Sequence, residues 1–555
     1  MPESSSRPVQ LDHPAVTLVW LLASAASWWC VQPGQLADGL TGFAVMLLLA
    51  VIWPALLVCG ALRARGGWQL FGCCWIAYAL PWLFVLSWVK DVTAAGYPAA
   101  IAYSALWPAI FACLLRWLVQ QPPVRRLPLS LVAAVTWTGL EYLRAEVILD
   151  AWPFHMAGHS QWGGPYTMLA SIGGVWLVGM LVVSGGGLLG SALRCRGPWS
   201  TWEFALPLLL IILGLWTPLP VPLTDQPLTV LAVQTNLPQD NKIGWPLERQ
   251  AEDVSSFIAL TETALASEVP DLVAWPETMV PGLGFEPDTL TLLNDIGPRA
   301  DAWVRWPLAL IAAATRSGVP WLVGSPTWTG VRVQDGLLMP EHRFNSAVLI
   351  EPGGELSRAD KIFLTPFGET MPYVRSWPWL ESLVMDFGAS GMQFDLEAAE
   401  QPTLLTLDTF DGAMWRLAVP ICFEDAVPSV ARRQCVRDGR TVADAIINLT
   451  NDGWFGSSDA GRRTHAVAAA WRAVEIGRPL LRVANTGYTG VYLPDGTTVI
   501  ESDPRTATTL LAVLPRYDTQ TLQARWGNWV PRLCLLLILI GVACRMVCAP
   551  RDTAR

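Results

Sequence analysis

The segment Leu417-Ala-Val-Pro-Ile-Cys-Phe-Glu424 joins a short apolar run to a cysteine and an acid. Two related segments occur earlier: Leu272-Val-Ala-Trp-Pro-Glu277, and Arg358-Ala-Asp-Lys361 followed by Thr365-Pro-Phe-Gly-Glu369. Short apolar runs bounded by turn residues are typical of buried strands. In α/β folds, reactive side chains that directly follow such strands lie together at one edge of the sheet. The three segments therefore predict an α/β fold and a site at its edge.

The region around these segments, from about residue 224 to 515, has the pattern of an α/β domain. Helical periodicity is found at Glu248–Ser267 and Arg463–Ile476. Roughly 300 residues are enough to bury a large core. Strand-like runs lie at Leu228–Gln234, Asp271–Trp275, Trp321–Gly324, Ser346–Glu351, Arg416–Ile421, Ala445–Leu449 and Leu481–Asn485.

The rest of the chain is markedly apolar. Of 555 residues 52% are hydrophobic and 15% are charged, and charged side chains are sparse between His13 and Leu219. A membrane span needs about 20 apolar residues. We expect seven spans, a polar segment and an eighth span, with domains at 1–223, 224–516 and 517–555. The apolar runs lie at Ala15–Gln32, Leu40–Leu62, Trp68–Val89, Tyr97–Leu115, Leu127–Leu143, Pro165–Leu193, Trp202–Leu219 and Trp529–Val547.

The positions of Lys and Arg in the short loops predict the orientation. The first apolar run is interpreted as a retained helix rather than a signal peptide, because only Arg7 flanks it. Lys90 and Arg144 are the basic residues in loops on the opposite side. Both termini are therefore expected in the cytoplasm, and the polar segment outside the membrane. The basic residues assigned to the cytoplasmic side are Arg7, Arg63, Arg65, Arg116, Arg125, Arg126, Arg194, Arg196, Arg545, Arg551 and Arg555.

Several classes of function are disfavoured. A formal net charge of −9 without a basic block disfavours a nucleic-acid partner. The 5 histidines lack the spacing of zinc ligands, so no metal is expected. Gly185-Gly-Gly-Leu-Leu-Gly190 lies inside an apolar run and predicts close helix packing rather than a nucleotide site. Of 11 cysteines, the polar segment holds Cys422 and Cys435, which either form one bridge or include a free nucleophile.

Glu277, Lys361 and Cys422 supply the groups that thiol-dependent acyl transfer needs. A carboxylate takes the proton of the thiol, and an ammonium stabilises the thiolate and the oxyanion that follows. Taken singly, a cysteine after a strand is more often a small buried hydrophobe, and a loop carboxylate is usually solvated. A Cys–His arrangement would need His342 or His465, for which a role on a helix surface or in capping is expected.

Together these motifs resemble the nitrilase superfamily. Seven spans before them, one span after them, and the residues Trp137, Glu141, Arg144 and 152–161 are similar to the apolipoprotein N-acyltransferase family. The resemblance implies a multi-span α-helical membrane domain plus an α/β nitrilase-like αββα sandwich. The motifs are Trp275-Pro-Glu277, Lys361 with Pro366-Phe-Gly-Glu369, Ile421-Cys-Phe-Glu424, Asn451-Asp-Gly-Trp-Phe-Gly456 and Arg472-Ala-Val-Glu-Ile-Gly-Arg-Pro-Leu-Leu-Arg482.

The resemblance also implies a reaction and a place in the cell. Cys422 would take an acyl chain from a phospholipid as a thioester and pass it to the α-amine of a diacylglyceryl-modified apolipoprotein. Glu277 would be the general base, Lys361 would face the oxyanion, Glu369 would orient the lysine and Glu424 would support the nucleophile. No cofactor is implied. The location would be the bacterial inner membrane, with the catalytic domain on the periplasmic side.

Substrate contacts are expected at Trp245, Glu141 and Arg144. Trp245 lies near the position of a tryptophan that the family places shortly after Lys242. Glu141 and Arg144 are one helical turn apart, so they form either an ion pair or a contact to a lipid headgroup. Phe423 stands where many family members carry tyrosine.

Two other functions stay open at this level. One is a membrane-tethered amidase that uses the same glutamate, lysine and cysteine. The other is a transporter whose outer domain senses a ligand through a degenerate nitrilase-like site. The intact triad of Glu277, Lys361 and Cys422 disfavours degeneracy, and the scarcity of paired charges in the spans disfavours an ion pathway.

Overall fold

A computed structural model of the protein describes residues 11–35, 40–94, 96–193, 200–224, 227–238, 245–297, 300–371 and 396–548. The chain divides into two compact units, one of Met1–Pro218 with Trp526–Arg555 and the other of Leu219–Arg525. The basic residues Arg7, Arg194, Arg196, Arg551 and Arg555 lie outside the described residues, as do Lys242 and the side chain of Arg545.

The first unit is helical, and each predicted apolar run contains a helix. Four helical segments are long and apolar enough to cross a membrane among the residues described: Ala44–Arg63, Gly67–Val85, Gly96–Leu118 and Leu169–Ala192. Shorter apolar helices are Pro14–Cys30, Thr201–Trp216 and Trp529–Cys544. The helices are α1 (Pro14–Cys30), α2 (Leu40–Arg63), α3 (Gly67–Val85), α4 (Val89–Val92), α5 (Gly96–Leu118), α6 (Leu129–Tyr142), α7 (Leu169–Ala192), α8 (Ala205–Trp216) and, at the end of the chain, α15 (Trp529–Cys548).

The glycine run in α7 confirms the prediction of close helix packing. A Cβ at Gly186 would lie 2.4 Å from Cγ of Pro54 in α2, and one at Gly187 would lie 2.7 Å from Cα of Ser130 in α6. Distances this short exclude any side chain, so the backbones of α2, α6 and α7 come into direct contact. The run therefore serves close helix packing.

The second unit contains two six-stranded sheets. The strands are β1 (Leu228–Gln234), β2 (Leu272–Ala274), β3 (Trp321–Thr329), β4 (Arg332–Gln334), β5 (Leu337–Met339), β6 (His342–Ile350), β7 (Leu356–Asp360), β8 (Leu404–Asp408), β9 (Met414–Ala418), β10 (Val436–Arg437), β11 (Arg440–Thr441), β12 (Ala445–Thr450), β13 (Leu480–Ala484), β14 (Gly490–Tyr492), β15 (Thr498–Glu501) and β16 (Thr508–Leu514). The first sheet has the order β16-β1-β2-β3-β6-β7 and the second the order β15-β14-β13-β12-β9-β8, with small hairpins β4-β5 and β10-β11.

The two sheets face each other across one core and carry helices on their outer faces. In β1, Val230 and Ala232 join the core between the sheets, whereas Leu231 and Val233 pack in the core that includes helical residues. This alternation is the period of two that a strand buried on both faces requires. The αββα sandwich is confirmed. Its helices are α9 (Leu247–Leu265), α10 (Pro287–Ile296), α11 (Asp301–Ser317), α12 (Pro428–Cys435), α13 (Asp459–Ile476) and α14 (Leu522–Trp526).

The strand ends deliver the predicted residues to one region. Strand β2 runs parallel to both β1 and β3 and leads into Glu277, and β7 leads directly into Lys361. Strand β9 runs parallel to β12, and the chain after β9 reaches Cys422 while that after β12 reaches Asn451. The predicted site residues therefore lie in the loops that follow strands of the two sheets.

Candidate active site

Cys422 sits on a sharp turn. It begins a 3₁₀ turn, Cys422–Asp425, and its φ of 52° lies in the left-handed region that non-glycine residues rarely adopt. Cys422 is buried in the core between the two sheets, with 7% of its surface exposed. Such a backbone costs about 1–3 kcal/mol and persists only where surrounding contacts hold it.

Glu277 is the carboxylate placed next to this region. Its Oε1 accepts a hydrogen bond from Asn345 Nδ2 at 2.8 Å, and its Oε2 accepts one from the Asn451 N–H at 2.9 Å. The loop carrying Glu277 passes so close to Gly324 that a Cβ there would lie 2.5 Å from Glu277 Cα. Glycine at 324 is therefore required for the carboxylate to reach its position.

Lys361 lies between two carboxylates. Its Nζ is 2.6 Å from Glu369 Oε2 and 3.7 Å from Glu277 Oε1, and it donates to Thr365 Oγ1 at 3.3 Å. Asn345 Nδ2 also donates to Glu369 Oε1 at 3.2 Å, so one amide joins both carboxylates. The ammonium is 1% exposed and its direction is fixed by these contacts.

The three predicted catalytic groups act on one another electrostatically. Burial lowers the pKa of Lys361, but Glu369 and Glu277 outweigh it and raise the pKa above its ordinary value. Burial and the charge of Glu277 raise the pKa of the Cys422 thiol well above its ordinary value, although Lys361 lowers it. The resting site is therefore a protonated thiol beside a lysine cation and a carboxylate that can accept a proton.

The pKa of Glu369 follows from its partner. Burial raises the pKa of this carboxyl, but the Lys361 ammonium and its hydrogen bonds outweigh burial and lower the pKa below its ordinary value. The N–H of Thr365 donates to Glu369 Oε2 at 2.8 Å. Glu369 is thus held ionised against the lysine.

Glu424 connects the turn that carries Cys422 to the loop after Lys361. Its Oε1 accepts from the N–H groups of Ile362 and Phe363 at 2.7 and 2.9 Å. Its Oε2 accepts from the N–H of Ile421 at 2.7 Å and from Gln434 Nε2 at 2.8 Å. Burial raises its pKa to about 7 despite these hydrogen bonds. One carboxylate therefore ties the chain around Cys422 to the chain after Lys361.

The sequence reading missed some members of the site. Asn345 was not proposed because it lies just before the predicted strand at Ser346–Glu351, whereas β6 begins at His342. The available sequence signal was a polar residue next to an apolar run, and in the structure Asn345 is buried, with 4% of its surface exposed. Thr450, which hydrogen-bonds to the Cys422 thiol, and the backbone of Asn451 were also missed.

The competing cysteine and histidine interpretations are corrected by the structure. Cys422 and Cys435 are both free, so the bridge between them is excluded. His465 was expected on a helix surface or in a cap, and this is wrong, because it is 2% exposed and has an aspartate at each ring nitrogen. His342 is half exposed and pairs with Glu397.

Comparison with known proteins identifies the family. Residues 39–188 match the model of the apolipoprotein N-acyltransferase N-terminal domain, and residues 232–524 match the carbon-nitrogen hydrolase model. A protein of Geobacter metallireducens named apolipoprotein N-acyltransferase is 30% identical over 458 residues, which are 79% of this chain and 79% of that protein. The chain belongs to the apolipoprotein N-acyltransferase family.

Other members of the family match over nearly the full chain. The apolipoprotein N-acyltransferase of Azotobacter vinelandii is 28% identical and covers 93% of this chain and 96% of its own. That of Methylococcus capsulatus is 29% identical, with 90% and 92% covered. Among solved structures, an amidase from Nesterenkonia sp. has 17% identity and a TM-score of 0.36, and covers 56% of this chain and 98% of its own. Because its relatives are named apolipoprotein N-acyltransferase and residues 232–524 match the carbon-nitrogen hydrolase model, the chain is an acyltransferase that carries a carbon-nitrogen hydrolase domain.

Two of the residues expected to contact substrates belong to the helical unit. Glu141 and Arg144 lie in the helical unit, where Arg144 Nη2 is 4.0 Å from Glu141 Oε1. Arg144 Nη1 donates to the carbonyls of Trp152 and Phe154, and Glu141 Oε1 accepts from the Ala157 N–H. Both side chains therefore brace the loop after α6.

Trp245 lies just before α9 in the carbon-nitrogen hydrolase unit. Its Nε1 donates to Asp253 Oδ2 at 2.9 Å, its carbonyl accepts from Gln250, and its ring packs on the core that contains Phe257. The ring is partly buried. Within the described part of this acyltransferase, no cluster of three or more His, Cys, Asp or Glu is arranged to hold a metal ion.

Proposed function

We propose that this chain N-acylates the amino-terminal diacylglyceryl-cysteine of apolipoproteins by a ping-pong reaction that passes through a thioester on Cys422. The observation that carries the proposal is the grouping of a buried thiol, a lysine cation and a glutamate held by two N–H donors. Family membership supplies the acceptor class. A phospholipid is the acyl donor, because the same chain contains helices apolar enough to cross a bilayer.

The first half-reaction forms the thioester. Glu277 takes the proton of the Cys422 thiol, and the sulfur attacks the carbonyl carbon of the sn-1 ester. The carbonyl oxygen becomes an oxyanion that faces the Lys361 ammonium and the N–H after Cys422. When the intermediate collapses, the ester C–O bond breaks and the alkoxide of the lysophospholipid takes the proton from Glu277.

The second half-reaction transfers the acyl group. The free α-amine of the lipoprotein cysteine attacks the thioester carbonyl, again with Lys361 opposite the oxyanion. Glu277 accepts a proton from the amine, and the C–S bond breaks to give an amide. The departing thiolate is reprotonated by Glu277, which returns the site to its starting state.

The two remaining acids act as positioning residues. Glu369 directs the Lys361 ammonium, because its Oε2 is 2.6 Å from Nζ. Glu424 supports the nucleophile by fixing the N–H of Ile421 and the chain after Lys361 with the same carboxylate. Neither needs to exchange a proton with substrate.

The substrate contacts of Trp245, Glu141 and Arg144 belong to the same proposal. Glu141 and Arg144 line a small cavity with His155 and several tryptophans in the helical unit, an environment suited to the junction of a headgroup and its chains. Trp245→Ala is expected to raise the phospholipid concentration at half-maximal rate, whereas Trp245→Phe is expected to leave it nearly unchanged. Equal effects of both variants would contradict a contact through the ring.

The membrane arrangement is part of the proposal. The domains are 1–223, 224–516 and 517–555, both termini are cytoplasmic, and the catalytic domain faces the periplasm from the bacterial inner membrane. A reporter fused after Leu223 is expected to report an external location. A cytoplasmic signal would contradict the eight-span arrangement.

Mass spectrometry of the purified chain tests the reaction. After incubation with phospholipid, an acyl adduct is expected on Cys422, with none in Cys422→Ala and an undiminished adduct in Cys435→Ala. Addition of a diacylglyceryl-peptide should discharge the adduct and yield the N-acylated peptide. Discharge by water alone would favour the membrane-tethered amidase. Lack of any adduct would contradict the thioester and favour a transporter with a degenerate site.

A further inference from the structure

A second buried ionic cluster lies next to the turn that carries Cys422. Its members are Asp425, Asp452, His465 and Arg482, and we refer to it as the His465 cluster. His465 Nε2 is 3.0 Å from Asp425 Oδ1, and Nδ1 is 2.8 Å from Asp452 Oδ1. Arg482 donates from Nη1 and Nη2 to the two oxygens of Asp452 at 3.0 and 2.9 Å. The four side chains are at most 3% exposed.

The charges in this cluster balance only when the imidazole is protonated. Two carboxylates face one guanidinium, so a neutral histidine would leave a buried negative charge, which is strongly unfavourable. Burial lowers the pKa of His465, but Asp425 and Asp452 outweigh it and raise the pKa to about 9, with Arg482 opposing. Arg462, one turn earlier on α13, does not neutralise the cluster, because its guanidinium pairs with Asp459 at 3.3 Å. At neutral pH the imidazole is therefore a cation with an aspartate oxygen at each ring nitrogen, and Arg482 Nη2 also lies 3.0 Å from Nδ1.

The cluster joins the nucleophile to the group that orients the proposed base. Asp425 is the last residue of the turn that begins at Cys422. Asp452 follows Asn451, whose N–H donates to Glu277 at 2.9 Å. The imidazole therefore links the two loops through one hydrogen bond to each. Gly487 makes room for the link, because a Cβ there would lie 1.8 Å from Asp452 Oδ2.

We propose that His465 is a positioning residue for acyl transfer: its cation, bonded to Asp425 and Asp452, holds the Cys422 turn in register with the Asn451 N–H that orients Glu277. The proposal rests on the proposed role of Cys422 as the acylated nucleophile. It gives a function to a histidine that does not itself contact the substrate. Loss of either hydrogen bond would let the thiol and the base move independently.

Two substitutions separate the hydrogen bonds of His465. His465→Asn places an amide donor near the position of Nδ1 and faces Asp452, whereas His465→Gln places one near Nε2 and faces Asp425. The rate of Cys422 acylation is measured by mass spectrometry in micelles that contain synthetic phosphatidylethanolamine and phosphatidylglycerol, without a lipoprotein acceptor. Each variant is expected to acylate on the order of 10- to 100-fold more slowly, with an unchanged phospholipid concentration at half-maximal rate. His342→Asn, on the exposed pair with Glu397, is the matched control and should match the native rate.

The pH profile distinguishes positioning from a merely structural role. The acylation rate of the native chain is expected to fall as the pH rises through about 9, because deprotonation removes one of the two donors. Asp425→Asn removes a carboxylate that raises the pKa of His465, so the fall should begin at lower pH. In His465→Asn and His465→Gln, this fall should be absent. The Asp425→Asn measurement remains decisive if the histidine variants do not fold.

The outcomes separate this inference from the proposed function. The positioning role alone would be overturned if the native chain forms the adduct on Cys422 and the variants, per folded molecule, keep the native acylation rate and pH profile. Variants that lose only thermal stability would overturn it as well. Lack of an adduct on the native chain would overturn the thioester on Cys422 and the positioning role together.

Discussion

Cys422 and Cys435 are both free, buried thiols of the same unit, yet their surroundings differ. Cys435 ends a helix, and burial raises its pKa to about 12, with Arg478 and Arg437 opposing. Cys422 lies on a left-handed turn, where Glu277, Lys361 and Glu369 act on its charge. Burial alone thus produces an inert thiol. A nucleophile needs in addition a proton acceptor and a cation brought to it by other strands.

Replacing each cysteine gives the largest expected contrast. Cys422→Ala should lower N-acylation by about 10⁴-fold or more, because no other group can hold the acyl chain. Cys435→Ala should leave the rate within about twofold and lower the free energy of unfolding by about 1 kcal/mol. Turnover of an apolipoprotein substrate and thermal unfolding measure the two effects. Retained turnover in Cys422→Ala would remove the distinction between the thiols.

The substitution Glu277→Gln is expected to lower both the acylation rate and the pKa of the Cys422 thiol. Acylation should fall on the order of 10²–10⁴-fold, because the proton acceptor is lost. The pKa of Cys422 should nevertheless fall, because burial is then no longer reinforced by the negative charge of Glu277. The pH dependence of alkylation by iodoacetamide measures this pKa, with Cys435 in the same spectrum as the reference. An unchanged pKa of Cys422 would show that Glu277 does not act on the thiol.

Gly324→Ala tests how closely the base must be placed. The new Cβ would lie 2.4 Å from the Pro276 carbonyl oxygen, so the loop that carries Glu277 must move. We expect a loss of about 1–3 kcal/mol in the free energy of unfolding together with slower acylation of Cys422. Gly72→Ala, where a Cβ meets no atom within 4 Å, is the control. If Gly324→Ala acylates at the native rate, the position of Glu277 is not critical.

The smallest expected effect is on stability at alkaline pH. The pKa of His465 is raised from 6.5 to about 9 in the folded chain. The contribution of His465 to the free energy of unfolding is therefore complete below pH 6.5, and it is lost as the pH rises through about 9. The melting temperature of the native chain should fall more between pH 7 and 10 than that of His465→Asn. Parallel curves would show that the imidazole is not held as a cation.

The sequence was sufficient to predict the strands, because their apolar patterns are local. Every predicted strand is present, because apolar runs such as Leu228–Gln234 lie in a sheet covered on both faces, and β1 has those same bounds. Glu277, Lys361 and Cys422 were chosen because each follows such a run. The strand ends then bring these residues to one place, and Lys361 lies within 3.7 Å of Glu277.

The partners of these residues could not be predicted, because they depend on tertiary contacts. Helix α13 carries Arg462, His465, Arg472 and Glu475, and all four are buried, although a helix-surface or capping role was expected for His465. The charge of His465 is balanced by Asp425 and Asp452 from other parts of the chain, whereas Arg472 pairs with Glu475 on the same helix at 3.1 Å. Asn345 was missed for a similar reason, because its amide donates to both Glu277 and Glu369, which are distant in sequence.

The contacts of Glu424 limit how a substrate could reach Cys422. Its carboxylate binds the N–H groups of Ile362 and Phe363 on one side and that of Ile421 on the other, and it is fully buried. The two loops are therefore tied together through one buried carboxyl group. Under the proposed reaction, parting these loops to admit a phospholipid would leave that group without its N–H donors, so we expect the acyl chain to enter elsewhere.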